Sequence, residues 1–181
     1  MAILQIRTFG DPVLRQRARE VDEVTDVHRR LVADMLETMR EAPGVGLAGP
    51  QVGVLERIFV YEVEDRHGAL INPVIVHRSE EMVAGEEGCL SIPGLTYDVD
   101  RHASVAVQGV DENGEPVSID AGEDDFLARV FQHEIDHLDG VLFLDRLPDD
   151  TRKKALRSLR EKILGLPSVP EPGPLPREEA L

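Results

Sequence analysis

The chain has 181 residues, 41% hydrophobic and 30% charged, the composition of an ordinary globular protein with enough length for one real core. Its formal charge of −15 argues against wrapping DNA or RNA, which needs clustered Lys and Arg. A single cysteine, Cys89, excludes an intrachain disulfide framework and fits a reducing compartment.

Charges and a proline in MAILQIRTFGDPVLR fall too early for a signal-peptide apolar core. The longest uncharged run, residues 42–55, holds four glycines and two prolines and does not read as a membrane span. A cytoplasmic protein is expected. Thr25 or Asp26 is expected to cap a helix to about residue 40, in which Val27, Leu31, Met35 and Met39 recur at helical spacing beside Leu36. Pro43 ends it. The following GVGLAGPQVG is too rich in glycine and proline for regular structure and reads as a loop. RIFVYEV (57–63) and ALINPVIVH (69–77) are β-rich, with EDRHG between them as a hairpin turn. SVAVQGV and PVSIDA flank DENGEP, whose Asn113-Gly114 is a tight-turn signal.

A further helix starts near Asp124 or Asp125 and stops at Gly140. A last helix spans about residues 151–164, with Leu156, Leu159 and Ile163 on one face. The stretch from Gly165 onward holds five prolines and almost nothing to bury. It reads as a proline-rich, disordered tail (166–181) behind a single catalytic domain (1–165).

The helix ending at Gly140 carries VFQHEIDHLDG. Residues four apart on a helix stack one turn apart, so His133 and His137 can present imidazole nitrogens to one ion. Glu134 is displaced about 100° around the helix from His133, beside the metal and placed to take a proton from a bound water. A catalytic zinc-type centre uses three protein ligands and keeps one position open. Two residues compete for the third place: Cys89 in EGCLS, and Glu161 in the last helix, the arrangement of a His₂Glu endopeptidase. The neighbours of Glu161 are basic and suit a solvated ion pair, which favours Cys89. A non-enzymatic metal-stabilised module is a further alternative; it needs a closed fourth ligand that the sequence does not supply. The order of helix, strands, helix and helix, without β-α alternation, predicts an α+β fold. Antiparallel or mixed sheets pack around the central metal-binding helix, with further N-terminal and C-terminal helices.

GVGLAG matches the spacing of a dinucleotide fingerprint and fails as one, because a helix precedes it and Pro50 follows where a helix should begin. Its glycines instead let backbone approach a substrate, with Gln51 offering a neutral amide donor.

GVGLAGPQ, EGCLS and HEIDH follow one another at about forty-residue separations. Together they resemble the three signature motifs of the bacterial peptide deformylases, and the resemblance extends from DPVLR (11–15) to GVLFLDRL (140–147). One departure is Ala48-Gly49 where the family usually has two alanines, which is expected to loosen the loop without removing a reacting group.

The resemblance implies removal of the formyl group from N-terminal formylmethionine. Cys89, His133 and His137 would bind the metal, with Glu134 as general base and acid. The Gln51 side-chain amide and the Leu90 backbone N–H would steady the developing oxyanion. The ion would be Fe²⁺ in the cell, with Zn²⁺, Ni²⁺ or Co²⁺ accepted in a purified form. Val45, Gly46, Phe126 and Val130 are the candidates for the methionine pocket, and Arg129 for a peptide contact. Glu87 and Arg101 are expected to pair and brace the Cys89 segment. In similar proteins a C-terminal helix docks on the ribosome. Here Arg152, Lys153, Lys154, Arg157, Arg160 and Lys162 give that helix a basic face, compatible with ribosomal RNA or with plain solvation. N-formylmethionyl peptides are the expected partners; no membrane and no DNA are expected.

Overall fold

IFVYEV forms a strand because both of its faces have something to meet. In the computed structural model, which describes residues 2–123 and 125–165, β2 (Ile58–Val63) is buried along nearly its whole length. Successive side chains point to opposite faces. Ile58 and Val60 join Val32, Met35 and Met39 of α1 (Asp26–Glu41). Phe59, Tyr61 and Val63 join Leu127, Val130, Phe131, Ile135 and Leu138 of α2 (Phe126–Leu138). A five-stranded sheet therefore lies between two helices.

The sheet is antiparallel throughout, ordered β1 (Gly46–Ala48), β2, β3 (Arg66–Arg78), β6 (Val105–Val110) and β7 (Pro116–Ala121). β1 corrects the expected loop. Leu47 and Ala48 are fully buried, and three residues pair with β2, Gly46 opposite Tyr61 and Ala48 opposite Phe59. Burial of two apolar side chains outweighs the glycine and proline content around them. A 3-10 turn, Gly49–Val52, follows directly. The predicted β3 begins earlier than expected, at Arg66, and its ladder to β6 slips between Ile71 and Val74. Pro73, which has no N–H to give a ladder, sits in that interval. The α1 stripe starts at Leu31, because Val27 is exposed.

A second sheet has only β4 (Met82–Cys89) and β5 (Ile92–His102). β4 is largely exposed apart from Glu87 and shows no apolar alternation, whereas β5 alternates, with Leu95, Tyr97, Val99 and Arg101 on its covered face and Thr96, Asp98 and Asp100 exposed. The site helix α2 is bounded as its sequence predicts. The Asp125 side chain accepts a hydrogen bond from Leu127 N–H at 2.9 Å. At the other end, Gly140 N–H reaches His137 O at 3.2 Å and Val141 N–H reaches Asp136 O at 2.9 Å, with Gly140 at φ 74°, the paired bonds of a Schellman motif.

These elements belong to a compact unit, Met1–Leu147; a second unit begins at Pro148. It holds α3 (Asp149–Ile163), two residues longer at its start than predicted, with Asp149 and Asp150 in the first turn and Arg160 and Lys162 in the last. That order suits the helix dipole. The expected tail, residues 166–181, lies outside the described residues.

Candidate active site and metal centre

α2 turns one face to the sheet core and the next to the β4–β5 hairpin, which brings the end of β4 against the histidines. Cys89, His133 and His137 converge so that one ligand atom from each lies within 4.8 Å of the others. Cys89 Sγ and His137 Nε2 are 3.2 Å apart, and the two imidazole rings stand 4.9 Å apart at 70°. The His133 Nδ1 edge is taken by Glu87 Oε2 at 2.9 Å, which leaves Nε2 to face the cluster. A thiolate with two imidazoles is a donor set that fits a borderline divalent ion such as Fe²⁺, Co²⁺, Ni²⁺ or Zn²⁺. Burial, joined by the charge of His133, lowers the pKa of His137 well below the usual range and keeps it neutral. Burial pulls His133 the same way, but hydrogen bonds to Cys89 and Glu87 outweigh it and raise that imidazole. A cation entering here displaces that proton.

Glu134 is buried beside this cluster, and its Oε2 has no hydrogen-bond partner among the described residues. Burial pushes its carboxyl up to about 7, against the opposing charge of His133. A carboxyl that titrates near neutrality serves as both proton acceptor and donor. Gly46 explains why the loop needs that glycine: a Cβ there would lie 2.8 Å from Glu134 Cδ and closer still to Oε1. Gly49 does not loosen the loop as expected. A Cβ at that position would stand 2.8 Å from Val54 O and 2.9 Å from Glu56 O, so the glycine lets the next stretch of backbone close tightly on it.

Gln51 is held by its own oxygen. Ala48 N–H donates to Gln51 Oε1 at 2.8 Å, which aims Nε2 at Ser91 Oγ (3.2 Å) and Cys89 Sγ (3.5 Å). Leu90 follows Cys89 at the hairpin turn. A cavity of about 440 Å³ opens here, and Val45, Gly46, Gln51, Cys89, Leu90, Phe126, Arg129, Val130, His133 and Glu134 all line it. Val45 and Phe126 are partly exposed at 43% and 49%, whereas Val130 is buried. Ile92, Pro93 and Leu95 of β5 add apolar wall that the sequence motifs did not single out.

The expected Glu87–Arg101 pair is present and belongs to a larger network, buried at Glu87, Arg101 and Asp136 and exposed at Arg146. Arg101 donates to Glu87 Oε1 and Oε2 at 2.8 and 3.0 Å and to Asp136 Oδ2 at 2.6 Å. Arg146 donates to both oxygens of Asp136, and Arg129 to Glu87 Oε1. Burial alone would raise Glu87; the bonds from Arg101 and His133 more than offset it and bring the carboxyl down to about 2. Ser91, Asp136 and Arg146 are the supporting residues that sequence reasoning missed. The one available signal was Asp136 itself, a carboxylate between the two candidate ligand histidines, next to Ile135 on a helix packed into the core.

The family model described as Polypeptide deformylase matches residues 3–153. The peptide deformylase of Acidothermus cellulolyticus is 52% identical over 161 residues, 89% of this chain and 88% of that protein. Among solved structures, the peptide deformylase of Thermus thermophilus has a TM-score of 0.83 at 46% identity, covering 90% of this chain and 96% of that one. The Ehrlichia chaffeensis peptide deformylase in complex with actinonin has a TM-score of 0.84 at 41% identity, covering 90% and 98%. The α+β architecture, the three ordered motifs and these likenesses agree: the chain belongs to the peptide deformylase family, the hydrolases that remove the N-formyl group from newly made polypeptides.

Proposed function

We propose that, in removing the formyl group from N-terminal formylmethionine, this enzyme holds one divalent ion on Cys89, His133 and His137 and moves protons through Glu134. The observation that carries the reading is the convergence of one sulfur and two imidazoles beside a buried, unpartnered carboxylate oxygen. Ferrous iron is the ion that the family resemblance implies, and the mixed soft and borderline donors suit it. Bound there, the ion would supply water activation and polarisation of the formyl oxygen, both needed because a formamide is a poor electrophile.

The residues do the rest. The methionine side chain enters the apolar cavity between Val45, Gly46, Phe126 and Val130. Glu134 takes a proton from the attacking water. As the formyl carbon becomes tetrahedral, the negative oxygen is met by Gln51 Nε2, whose aim is fixed by the Ala48 bond, and by the Leu90 N–H. Donors already oriented stabilise that charge without reorganising, and one such donor is typically worth about 10²–10³ in rate. Glu134 then returns the proton to the leaving amine, and formate departs.

The test is anaerobic purification with metal analysis, followed by formate release from a formyl-Met tripeptide with and without chelator, in wild type and Glu134→Gln. We expect about one ion per chain, activity lost to chelator and restored by Fe²⁺, and a Glu134→Gln enzyme that keeps its ion while losing about 10²–10⁴ in kcat. Full activity after exhaustive chelation, or in Glu134→Gln, contradicts the reading. No helix among the described residues is long and apolar enough to cross a membrane, and we place the enzyme in the cytoplasm with the ribosome as its substrate source. The basic residues of α3 (Arg152, Lys153, Lys154, Arg157, Arg160 and Lys162) support a contact with ribosomal RNA; salt-insensitive co-sedimentation with ribosomes would contradict it.

A further inference from the structure

The sheet that carries Cys89 shares no backbone ladder with the five-stranded sheet among the described residues, and its hydrogen bonds to α2 run through side chains. Arg129 makes the largest number of them. Its Nη1 donates to Val99 O at 2.7 Å, Glu87 Oε1 at 2.9 Å and Gly85 O at 3.2 Å, and its Nη2 donates to Val83 O at 2.8 Å. One guanidinium from the site helix thus grips alternate residues of β4 at 83, 85 and 87 and the β5 residue paired with Gly85. The side chain is 13% exposed.

We propose that Arg129 is a positioning residue that sets where the Cys89 strand and the His133 ring stand relative to each other, in place of the peptide contact expected from its position on the helix. Two features carry this. Glu87 is bonded through Oε1 to Arg129 and through Oε2 to His133 Nδ1, so Arg129 fixes the carboxylate that orients a candidate ligand, while Glu87 sits two residues before the other ligand on the same strand. Gly85 is shaped to admit the guanidinium: a Cβ there would lie 2.7 Å from Arg129 Nη2 and 2.9 Å from Cζ. Arg129 and Gly85 form a matched pair, with Nη1 and Nη2 both turned onto four acceptors of the hairpin. Outer-shell partners of this kind typically contribute 10–100-fold to metal affinity.

This inference rests on Cys89, His133 and His137 holding the ion, and the experiment separates the two. The full-length enzyme, stripped of metal, is titrated anaerobically with Co²⁺, reading the thiolate-to-cobalt charge-transfer band, in wild type, Arg129→Met, Arg129→Lys and Gly85→Ala. Thermal midpoints of the apo proteins and KM for a formyl-Met tripeptide at saturating Co²⁺ are recorded alongside. We expect the Co²⁺ Kd to rise about 10–100-fold in Arg129→Met. Gly85→Ala should rise in the same direction by less, Arg129→Lys should fall between Arg129→Met and wild type, and KM should stay within about twofold. Wild-type affinity in both Arg129→Met and Gly85→Ala overturns the proposal. So does a raised KM with unchanged Co²⁺ affinity, which makes Arg129 a peptide contact, or a lowered midpoint with unchanged Co²⁺ affinity, which makes it a stability residue only. A wild-type protein without the charge-transfer band fails the ligand assignment itself. Should Arg129→Met not fold, the Gly85→Ala and Arg129→Lys titrations decide.

Discussion

The two sides of the candidate metal centre are built by different physics. His133 and His137 ride on α2, whose other face is packed into the core with Phe131 against Phe59 and Tyr61 at ring separations of 5.7 and 5.1 Å. Their spacing is a property of the helix and needs no partner to set it. Cys89 ends a strand of a largely exposed two-stranded sheet, and a two-stranded ribbon is marginal by itself. The hairpin is tied to the helix by charge-assisted hydrogen bonds that Arg129 donates to Glu87 and Arg101 donates to Asp136, with Arg101 also paired to Glu87. The contrast teaches that the helix side should fail by losing stability, and the hairpin side by losing ligand geometry while the core stays folded.

The largest effect on stability should come from the helix side. Phe131→Ala removes a fully buried ring from the α2–sheet core and should cost about 3–5 kcal/mol in denaturant unfolding. The Co²⁺ affinity of the folded protein should stay near wild type, the reverse of the Arg129 pattern. A cost below about 1 kcal/mol would show that the core does not hold the helix, and the contrast would break.

A smaller effect should come from the start of the same helix. Asp125 caps α2 and pairs with Arg66 at 2.7 and 2.8 Å, and the Arg66 bond holds its carboxyl below the usual range. Asp125→Ala should cost about 1 kcal/mol at pH 7. Because the folded-state pKa is depressed, this contribution is present above the unfolded value of roughly 3.9 and is lost as pH falls through the lower folded value. Wild type and variant should therefore converge in stability below about pH 4. A constant gap from pH 7 to pH 3 would contradict the assignment.

How far the sequence revealed this arrangement follows the same division. The imidazole pair, its helix, the cap at Asp125 and the stop at Gly140 were legible, because helical periodicity and caps are local signals. Cys89 could be ranked over Glu161 only by weighing neighbours, and its sulfur lies with histidines 44 and 48 residues away in sequence. β4 stayed illegible because its covered positions hold Gly85, Glu87 and Cys89 instead of large apolar residues. β5 does alternate, Leu95, Tyr97 and Val99 against Thr96, Asp98 and Asp100, a signal that motif-centred reasoning passed over. β1 was hidden because its glycines and proline masked two buried side chains. Asp136 was missed for a related reason: a charged residue reads as surface until the distant strand that buries it is known, and Arg146 was missed with it because its role is only to pair with that carboxylate. The Glu87–Arg101 pair was foreseen without the Asp136 and Arg129 bonds that complete it.

The most direct measurement of the central claim is X-ray absorption at the metal edge of the anaerobic, metal-loaded enzyme. For the Zn²⁺-loaded form the account predicts one sulfur scatterer at about 2.3 Å and two imidazole nitrogens at about 2.0–2.1 Å, with the sulfur shell gone in Cys89→Asp. A shell of nitrogen and oxygen alone in the wild-type enzyme would contradict it.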